Sequence, residues 1–130
     1  MSDGSGPNRL RVVIADDAAD FRFLLRMLLD GDDRFDVVGE AGDGREAVRM
    51  SSEHQPHAVL LDLAMPVMDG LQAIPEIHRV APEAQIVVLS GFEEAQMGRK
   101  ALTLKATAYI EKGQAHTVVA DTLIDVCVSP

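Results

Sequence analysis

The sequence predicts an α/β protein whose single domain contains a doubly wound, five-stranded parallel sheet. Three observations support this prediction. Short apolar runs alternate five times with segments whose apolar residues recur at helical spacing. The apolar runs are nearly continuous and their connections are short, which is typical of strands covered by helices on both faces. Right-handed crossovers leave few arrangements of five such units, and we expect the strand order 2-1-3-4-5.

The first two units are defined by an apolar strand, a helical repeat and a capping residue. Residues 11–15 form an apolar run that predicts the first strand. In residues 18–29, apolar side chains recur at the three- and four-residue spacing of a helix. These side chains are Phe21, Leu24, Leu25, Leu28 and Leu29. Residues 35–40 predict a short strand at the sheet edge, and Asp43 is placed to cap a helix over residues 44–52.

The last three units follow the same alternation. Residues 58–61 predict the third strand, and Asp69 is expected to cap a helix over residues 70–80. Pro75 lies beyond the first turn of that helix and predicts a kink or a poorly bonded start. The remaining elements are strands at residues 86–89 and 107–111 and helices at residues 93–104 and 114–127.

The composition and charge exclude several classes of protein. The chain has 130 residues, 47% of them hydrophobic, which is enough for one buried core. A net charge of −9 argues against nucleic acid as a partner of this chain, because phosphate binding depends on clusters of Lys and Arg. The single cysteine cannot form an internal disulfide, which fits a reducing cytoplasm. No apolar run is long enough to span a membrane. We therefore expect a cytoplasmic protein without membrane contact.

The distribution of polar residues predicts the domain boundaries. Residues 1–8 are rich in Gly, Ser, Pro and Asp, which predicts a disordered tail. Residues 9–127 form the predicted domain, and residues 128–130 its C-terminal end. No internal repeat or interdomain linker interrupts the alternation of strands and helices.

Polar residues follow four of the five predicted strands at the point where each strand ends. They are Asp16 and Asp17 after the first strand, Asp62 after the third, Ser90 after the fourth and Lys112 after the fifth. In the expected order the first and third strands are neighbours, about 5 Å apart, so the three acids converge. Ligands of open α/β sheets bind outside this edge. The sequence therefore predicts a binding site there.

Three converging carboxylates indicate a magnesium site. Crowded acids repel one another and recruit a cation, and hard oxygen ligands with positions left for water and phosphate oxygens suit Mg²⁺. A carboxylate beside Mg²⁺ can attack phosphorus to give an aspartyl phosphate. We expect Asp62 to be this nucleophile, with Asp16 and Asp17 holding the metal. Lys112 and Ser90 are then placed to contact the oxygens of the transferring phosphoryl group.

Four motifs together resemble the receiver domain of bacterial two-component response regulators, from about residue 9 to residue 127. The motifs are Asp16-Asp17, Asp62-x-x-Met65-Pro66-x-x-Asp69-Gly70, Ser90 and Tyr109-x-x-Lys112. The resemblance implies a flavodoxin-like fold. It also implies that Asp62 accepts a phosphoryl group from a histidine kinase or a phosphotransfer protein. No turnover of another substrate is expected, only self-phosphotransfer and slow self-dephosphorylation.

The resemblance further implies a ligand set and a switch. Asp17 and Asp62 would bind Mg²⁺ directly with the backbone carbonyl of Ala64, and Asp16 would act largely through water.

On phosphorylation, Ser90 would move toward the phosphoryl group and Tyr109 would fill the vacated space. The surface of the fourth helix, fifth strand and fifth helix would then change. A dimer partner or a transcriptional output domain is expected to read that surface.

Four positions depart from the pattern of this family. Gly113 follows Lys112 where the family often has Pro, as in the branch that carries helix-turn-helix outputs. Gly91 stands where Ala is usual, and it either leaves less bulk over the site or only eases the loop. Lys105 and Ala108 stand where glycines are common before the fifth strand, and a positive φ at Lys105 would cost about 1 kcal/mol.

Two other functions are open on the sequence alone. A Mg²⁺-dependent phosphohydrolase of the haloacid-dehalogenase type is disfavoured, because that class keeps its nucleophile and acid two residues apart after the first strand. A receiver used only as a constitutive interaction domain is disfavoured by the intact Asp62 and Lys112. Tyr109 also has a second interpretation, as a half-buried strand aromatic.

Overall fold

The computed structural model describes residues 9–91 and 95–128. In this part of the chain five strands alternate with five helices, as the sequence predicts. The strands are β1 (Leu10–Ala15), β2 (Phe35–Ala41), β3 (Ala58–Asp62), β4 (Gln85–Ser90) and β5 (Ala108–Glu111). The helices are α1 (Ala19–Asp30), α2 (Gly44–His54), α3 (Gly70–Val80), α4 (Ala95–Thr103) and α5 (Ala115–Val128), and a 3₁₀ turn (Lys112–Gln114) precedes α5. The predicted tail at residues 1–8, the predicted start of the fourth helix at Glu93 and residues 129–130 lie outside the described residues.

The strands form one parallel sheet in the order β2-β1-β3-β4-β5, which confirms the predicted doubly wound, flavodoxin-like topology. The register aligns the carboxyl ends of the strands. Ala15 at the end of β1 pairs with Leu61 in β3, and Ser90 at the end of β4 pairs with Glu111 at the end of β5. The residues that end or follow β1, β3, β4 and β5 therefore lie along one edge of the sheet.

Two apolar layers cover the two faces of the sheet. One layer packs strand residues against buried side chains of α2, α3 and α4, among them Ala47, Ala73, Ile74, Ile77 and Ala101. The other packs the alternate strand residues against α1 and α5, among them Leu25, Leu29, Val119 and Leu123. Every residue of β3 is buried. Burial on both faces explains why the strands have nearly continuous apolar sequences rather than alternating ones.

Only part of the apolar repeat of α1 faces the core. Leu25 and Leu29 are buried, whereas Leu24 and Leu28 are exposed to solvent. Phe23 and Met27 add to this exposed apolar side. None of the helices in the described ranges combines the length and the apolar character needed to cross a membrane.

The predicted caps of α2 and α3 are present. The Asp43 carboxylate accepts a hydrogen bond from the Glu46 N–H at 2.8 Å. Asp69 and Gln72 form a reciprocal capping box at the start of α3. Pro75 lies inside α3, and the helix continues through it to Val80. The expectation of a poorly bonded start is therefore wrong, because the capping box satisfies the Asp69 and Gln72 N–H groups and the Gly70 N–H donates to the Leu63 carbonyl. The alternative expectation, a kink at Pro75, stays a prediction.

Lys105, between α4 and β5, has a φ of 76°, so the condition under which its side chain costs free energy is met. A side chain with a Cβ is strained in this left-handed region, which favours glycine. The segment is held in place by its neighbours. The Lys105 N–H donates to the Leu102 carbonyl at 3.0 Å, and the Lys105 carbonyl lies 3.0 Å from Nε2 of His78 on α3.

We expect Lys105→Gly to stabilise the domain by about 0.5–1 kcal/mol, because glycine removes the Cβ penalty at positive φ while the exposed lysine makes no buried contact. Urea unfolding monitored by circular dichroism measures this difference. Lys105→Ala is the matched control, since it removes the charge but keeps the Cβ, and it should give no comparable gain. Equal stabilisation by both substitutions would contradict the strain at Lys105.

Candidate metal centre at the carboxyl edge of the sheet

Three aspartates meet at the carboxyl edge of β1 and β3. One carboxylate oxygen from each of Asp16, Asp17 and Asp62 lies within 4.8 Å of the other two. Asp16 and Asp62 are only 0% and 1% exposed, whereas Asp17 is exposed. In the part of the chain that the structure describes, no other group of three His, Cys, Asp or Glu residues meets this distance. The structure thus brings together the three acids that the sequence places at this edge.

Backbone hydrogen bonds orient the two buried carboxylates. Oδ1 of Asp16 accepts from the Ala18 N–H at 2.8 Å, and Oδ1 of Asp62 accepts from the Ala64 N–H at 3.2 Å. The Asp16 N–H donates to the carbonyl of Ala41 at the end of β2, at 2.9 Å. These bonds occupy one oxygen of each carboxylate and leave the other, Oδ2, turned toward Lys112.

Lys112 lies between the two buried carboxylates. Its Nζ is 2.9 Å from Oδ2 of Asp16 and 3.2 Å from Oδ2 of Asp62. These contacts are ion pairs by distance, but neither Oδ2 accepts a well-directed hydrogen bond. The Phe21 ring lies on another side of the ammonium, with its centroid 5.0 Å from Nζ. Two buried carboxylate oxygens with unused lone pairs, close to a third acid, fit a hard divalent cation such as Mg²⁺.

The environment of Asp62 disfavours its charged form. Burial, and then the charge of Asp16, raise the pKa of Asp62 from 3.8 to about 6, although Lys112 and the Ala64 N–H oppose the shift. Burial lowers the pKa of Lys112, but its contacts with Asp16 and Asp62 outweigh burial and raise that pKa above 10.5. Lys112 is therefore positively charged at neutral pH. The raised pKa of Asp62 means that its carboxylate gains free energy when it binds a proton or a cation.

Gly70, the first residue of α3, is required by a close approach to the end of β3. A Cβ on Gly70 would lie 2.5 Å from the Asp62 carbonyl and 2.7 Å from Cα of Leu63, both of which are backbone atoms. The Gly70 N–H also donates to the Leu63 carbonyl at 2.9 Å. The Asp69-Gly70 motif thus caps α3 and packs its first turn directly against the backbone of Asp62.

The remaining predicted site residues lie on the same edge or next to it. Ser90 is buried at the end of β4, with Oγ 3.2 Å from the Gly91 carbonyl. Ala64 is exposed, two residues beyond Asp62. Tyr109 is half-buried in β5, where it pairs with Val88 and packs against the core layer on the α2, α3 and α4 side. Both of its interpretations are compatible with this position.

Two residues that contact the site, Phe21 and Arg22, do not appear in the sequence prediction as site residues. Phe21 belongs to the helical repeat of α1 in the sequence, and its ring contacts the Lys112 ammonium. Arg22 donates from Nη1 to the Asp16 carbonyl at 2.5 Å and from Nε to Glu40 at 3.0 Å. No sequence motif marks these contacts, because they depend on how α1 is rotated over the sheet.

A family model described as the response regulator receiver domain matches residues 12–123. The chain is 39% identical to the chemotaxis protein CheY of Thermotoga maritima, over 87% of this chain and 93% of CheY. It is 41% identical to the transcriptional regulatory protein PdtaR of Mycobacterium tuberculosis, over 78% of this chain and 49% of PdtaR. The solved signal receiver domain of NarL from Mycobacterium tuberculosis superimposes with a TM-score of 0.88 at 29% identity, over 95% of this chain and 100% of that one.

The chain corresponds to only a part of many of its relatives. It spans 28% to 49% of the length of several curated proteins that it matches, PdtaR among them.

We expect Asp62→Asn to stabilise the metal-free protein at pH 8 by about 2 kcal/mol, because the substitution removes a charge that burial and Asp16 disfavour. The folded pKa of about 6 exceeds the unfolded value of 3.8, so folding takes up protons between these values. The stability of the wild type should therefore fall as the pH rises from about 4 to 6, and the advantage of Asp62→Asn should be lost near pH 4.

Urea unfolding in EDTA at pH 4 and pH 8 measures both differences. Asp69→Asn is the control, since its carboxylate caps α3 outside the acidic cluster and no comparable gain at pH 8 is expected. A wild type as stable at pH 8 as Asp62→Asn would contradict a raised pKa at Asp62.

Proposed function

The chain belongs to the response regulator receiver domain family, and from this premise we propose that Asp62 accepts a phosphoryl group from a histidine kinase or a phosphotransfer protein. Receiver domains are the phospho-accepting modules of two-component signal transduction. The observation that carries the assignment to Asp62 is its position. Its carboxylate is buried at a strand end, 3.2 Å from the Lys112 ammonium and within 4.8 Å of two further acids.

We propose that the acidic cluster holds Mg²⁺. Receiver domains bind this ion at an acidic pocket, and the donor set here fits it. Asp17, Asp62 and the backbone carbonyl of Ala64 would be direct ligands, while Asp16 would act largely through water. Asp62 and Asp16 each keep one oxygen that accepts no well-directed hydrogen bond, which supports this assignment. The bound ion would supply positive charge for the phosphoryl oxygens.

In the transfer step the residues of this chain position charge around the phosphorus. An oxygen of the Asp62 carboxylate attacks the phosphorus of the phosphohistidine, a P–O bond forms, and the P–N bond to the histidine breaks. The pKa of about 6 leaves Asp62 largely ionised at neutral pH, as a nucleophile must be. Lys112 then neutralises a phosphoryl oxygen, and the Ser90 hydroxyl donates a hydrogen bond to another.

The proposed output is a change in the surface formed by α4, β5 and α5. Ser90 would move toward the phosphoryl group, and Tyr109 would fill the vacated space. A dimer partner or a transcriptional output domain would bind this surface in one of its two states. The half-buried position of Tyr109 supports a movable side chain, and the match to a transcriptional regulator, PdtaR, supports an output in transcription.

We further propose that the domain turns over no substrate other than its own aspartyl phosphate. Asp62, the nucleophile, is the last residue of the third strand, whereas phosphohydrolases of the haloacid-dehalogenase type carry theirs after the first strand. A constitutive interaction domain is the remaining alternative, and phosphorylation distinguishes it from the proposal.

Incubation with acetyl phosphate and Mg²⁺ should phosphorylate the wild type, and intact-protein mass spectrometry measures the adduct. Asp62→Asn should give no adduct, because the nucleophile is lost. EDTA should prevent the reaction in the wild type. Asp125→Asn, which removes an exposed acid on α5, is the matched control and should leave the yield unchanged. An undiminished yield from Asp62→Asn, or no adduct on the wild type, would overturn the proposal.

The single tyrosine of a chain without tryptophan makes intrinsic fluorescence a direct probe of the switch. Beryllofluoride with Mg²⁺ should change the Tyr109 fluorescence of the wild type. Ser90→Ala should still bind beryllofluoride, seen by ¹⁹F NMR, but should lose most of the fluorescence change because Ser90 no longer couples the site to Tyr109. Ser52→Ala, an exposed serine on α2, is the control. A full fluorescence change in Ser90→Ala would contradict the proposed coupling between Ser90 and Tyr109.

A further inference from the structure

Arg22, on the first turn of α1, connects three parts of the fold beside the acidic cluster. Its Nη1 donates to the backbone carbonyl of Asp16 at 2.5 Å. Its Nε donates to Oε1 of Glu40, near the end of β2, at 3.0 Å. The Arg22 and Glu40 side chains are 23% and 28% exposed, so this ion pair is largely withdrawn from water.

The carbonyl that Arg22 binds belongs to the peptide unit that joins Asp16 to Asp17. Asp16 is the first residue beyond β1, where the ladder of the sheet ends. Its N–H is held by the Ala41 carbonyl, and its carbonyl is held by Arg22. Since a peptide unit is planar and rigid, fixing this carbonyl also fixes the direction in which the chain enters Asp17.

The Asp17 side chain is not held in place by contacts with other described residues. Its side chain is exposed, and within the described ranges it forms no hydrogen bond or ion pair with another residue. By contrast, the Asp16 carboxylate is held by Ala18 and Lys112, and the Asp62 carboxylate by Ala64 and Lys112. The position of Asp17 relative to the other two acids therefore depends on the backbone that carries it.

We propose that Arg22 is a positioning residue for the metal site. It holds the Asp16-Asp17 peptide unit so that the exposed Asp17 carboxylate is presented to Mg²⁺ together with Asp62, and Glu40 orients the guanidinium for this role. The inference rests on the proposed function, because it takes the acidic cluster to be a magnesium site. Residues that orient metal ligands without touching the ion commonly contribute about 10-fold or more to metal affinity.

Arg26, one helical turn further along α1, provides a matched control. Its Nη1 donates to Oε2 of the same Glu40, and its Nε lies 3.4 Å from Asp30. Arg26 thus ties α1 to β2 as Arg22 does, but its hydrogen bonds do not include the Asp16 carbonyl. A purely structural role for Arg22 predicts the same phenotype for substitutions at both positions.

Isothermal titration with Mg²⁺ at pH 8 tests the proposal on the wild type, Arg22→Gln and Arg26→Gln. We expect Arg22→Gln to weaken Mg²⁺ binding about 10-fold and Arg26→Gln to change it less than twofold. Arg22→Lys, whose single ammonium cannot span both Glu40 and the Asp16 carbonyl, should fall between Arg22→Gln and the wild type. This variant also provides a folded comparison if Arg22→Gln does not fold.

A second readout does not require the metal. In EDTA, amide hydrogen exchange at Asp17 and Ala18, followed by NMR, should be faster in Arg22→Gln than in Arg26→Gln at matched global stability, because only Arg22 restrains this peptide unit. Unchanged exchange, or an unchanged Mg²⁺ affinity in Arg22→Gln, would overturn the positioning role. A wild type that binds no Mg²⁺ would instead overturn the proposed metal site, and that result is visible before any variant is compared.

Discussion

The constraint on which the site depends is the burial of two carboxylates side by side. Asp16 and Asp62 are withdrawn from water at neighbouring strand ends, where their mutual repulsion is strong, and burial together with this repulsion raises the pKa of Asp62 to about 6. The Lys112 ammonium and two backbone N–H groups compensate part of that cost. A divalent cation would compensate the rest. In the proposed function, the burial that disfavours the charged form of Asp62 is the same property that would favour binding of a cation.

The scaffold holds this unfavourable arrangement because the sheet and its helices leave the site little freedom. The register of β1, β3, β4 and β5 fixes the positions at which their last residues stand. Gly70 lets the first turn of α3 press against the Asp62 backbone, and Asp69 caps that turn. Because these contacts involve the backbone, a shift of any one of them would move a site carboxylate with it. Packing elsewhere in the domain supplies the free energy that compensates for the buried charges at this edge.

Several features were predictable from the sequence because they depend on local patterns. Apolar runs of strand length, helical repeats and the caps Asp43 and Asp69 identified the elements to within a few residues, and parallel topology then placed the acids at one edge. The position of Lys105, where glycine is common, raised the question of a positive φ, and the structure supplied the answer. The poorly bonded start expected from Pro75 was wrong, because the capping box satisfies the first turn of α3. The preference of proline for helix ends did not decide how α3 begins, because Asp69 and Gln72 cap the helix.

By itself the sequence determined the order of strands and helices and which residues end each strand, since hydrophobic periodicity and capping are properties of short segments. Only the tertiary structure decided which side chains on separate elements touch. The contact of Phe21 with Lys112 and the bonds of Arg22 to the Asp16 carbonyl and Glu40 follow from the rotation of α1 over the sheet. That rotation is set by the packing of Leu25 and Leu29 against the core. Because the core residues they contact are far away in the chain, the sequence around α1 contains no pattern that predicts the rotation.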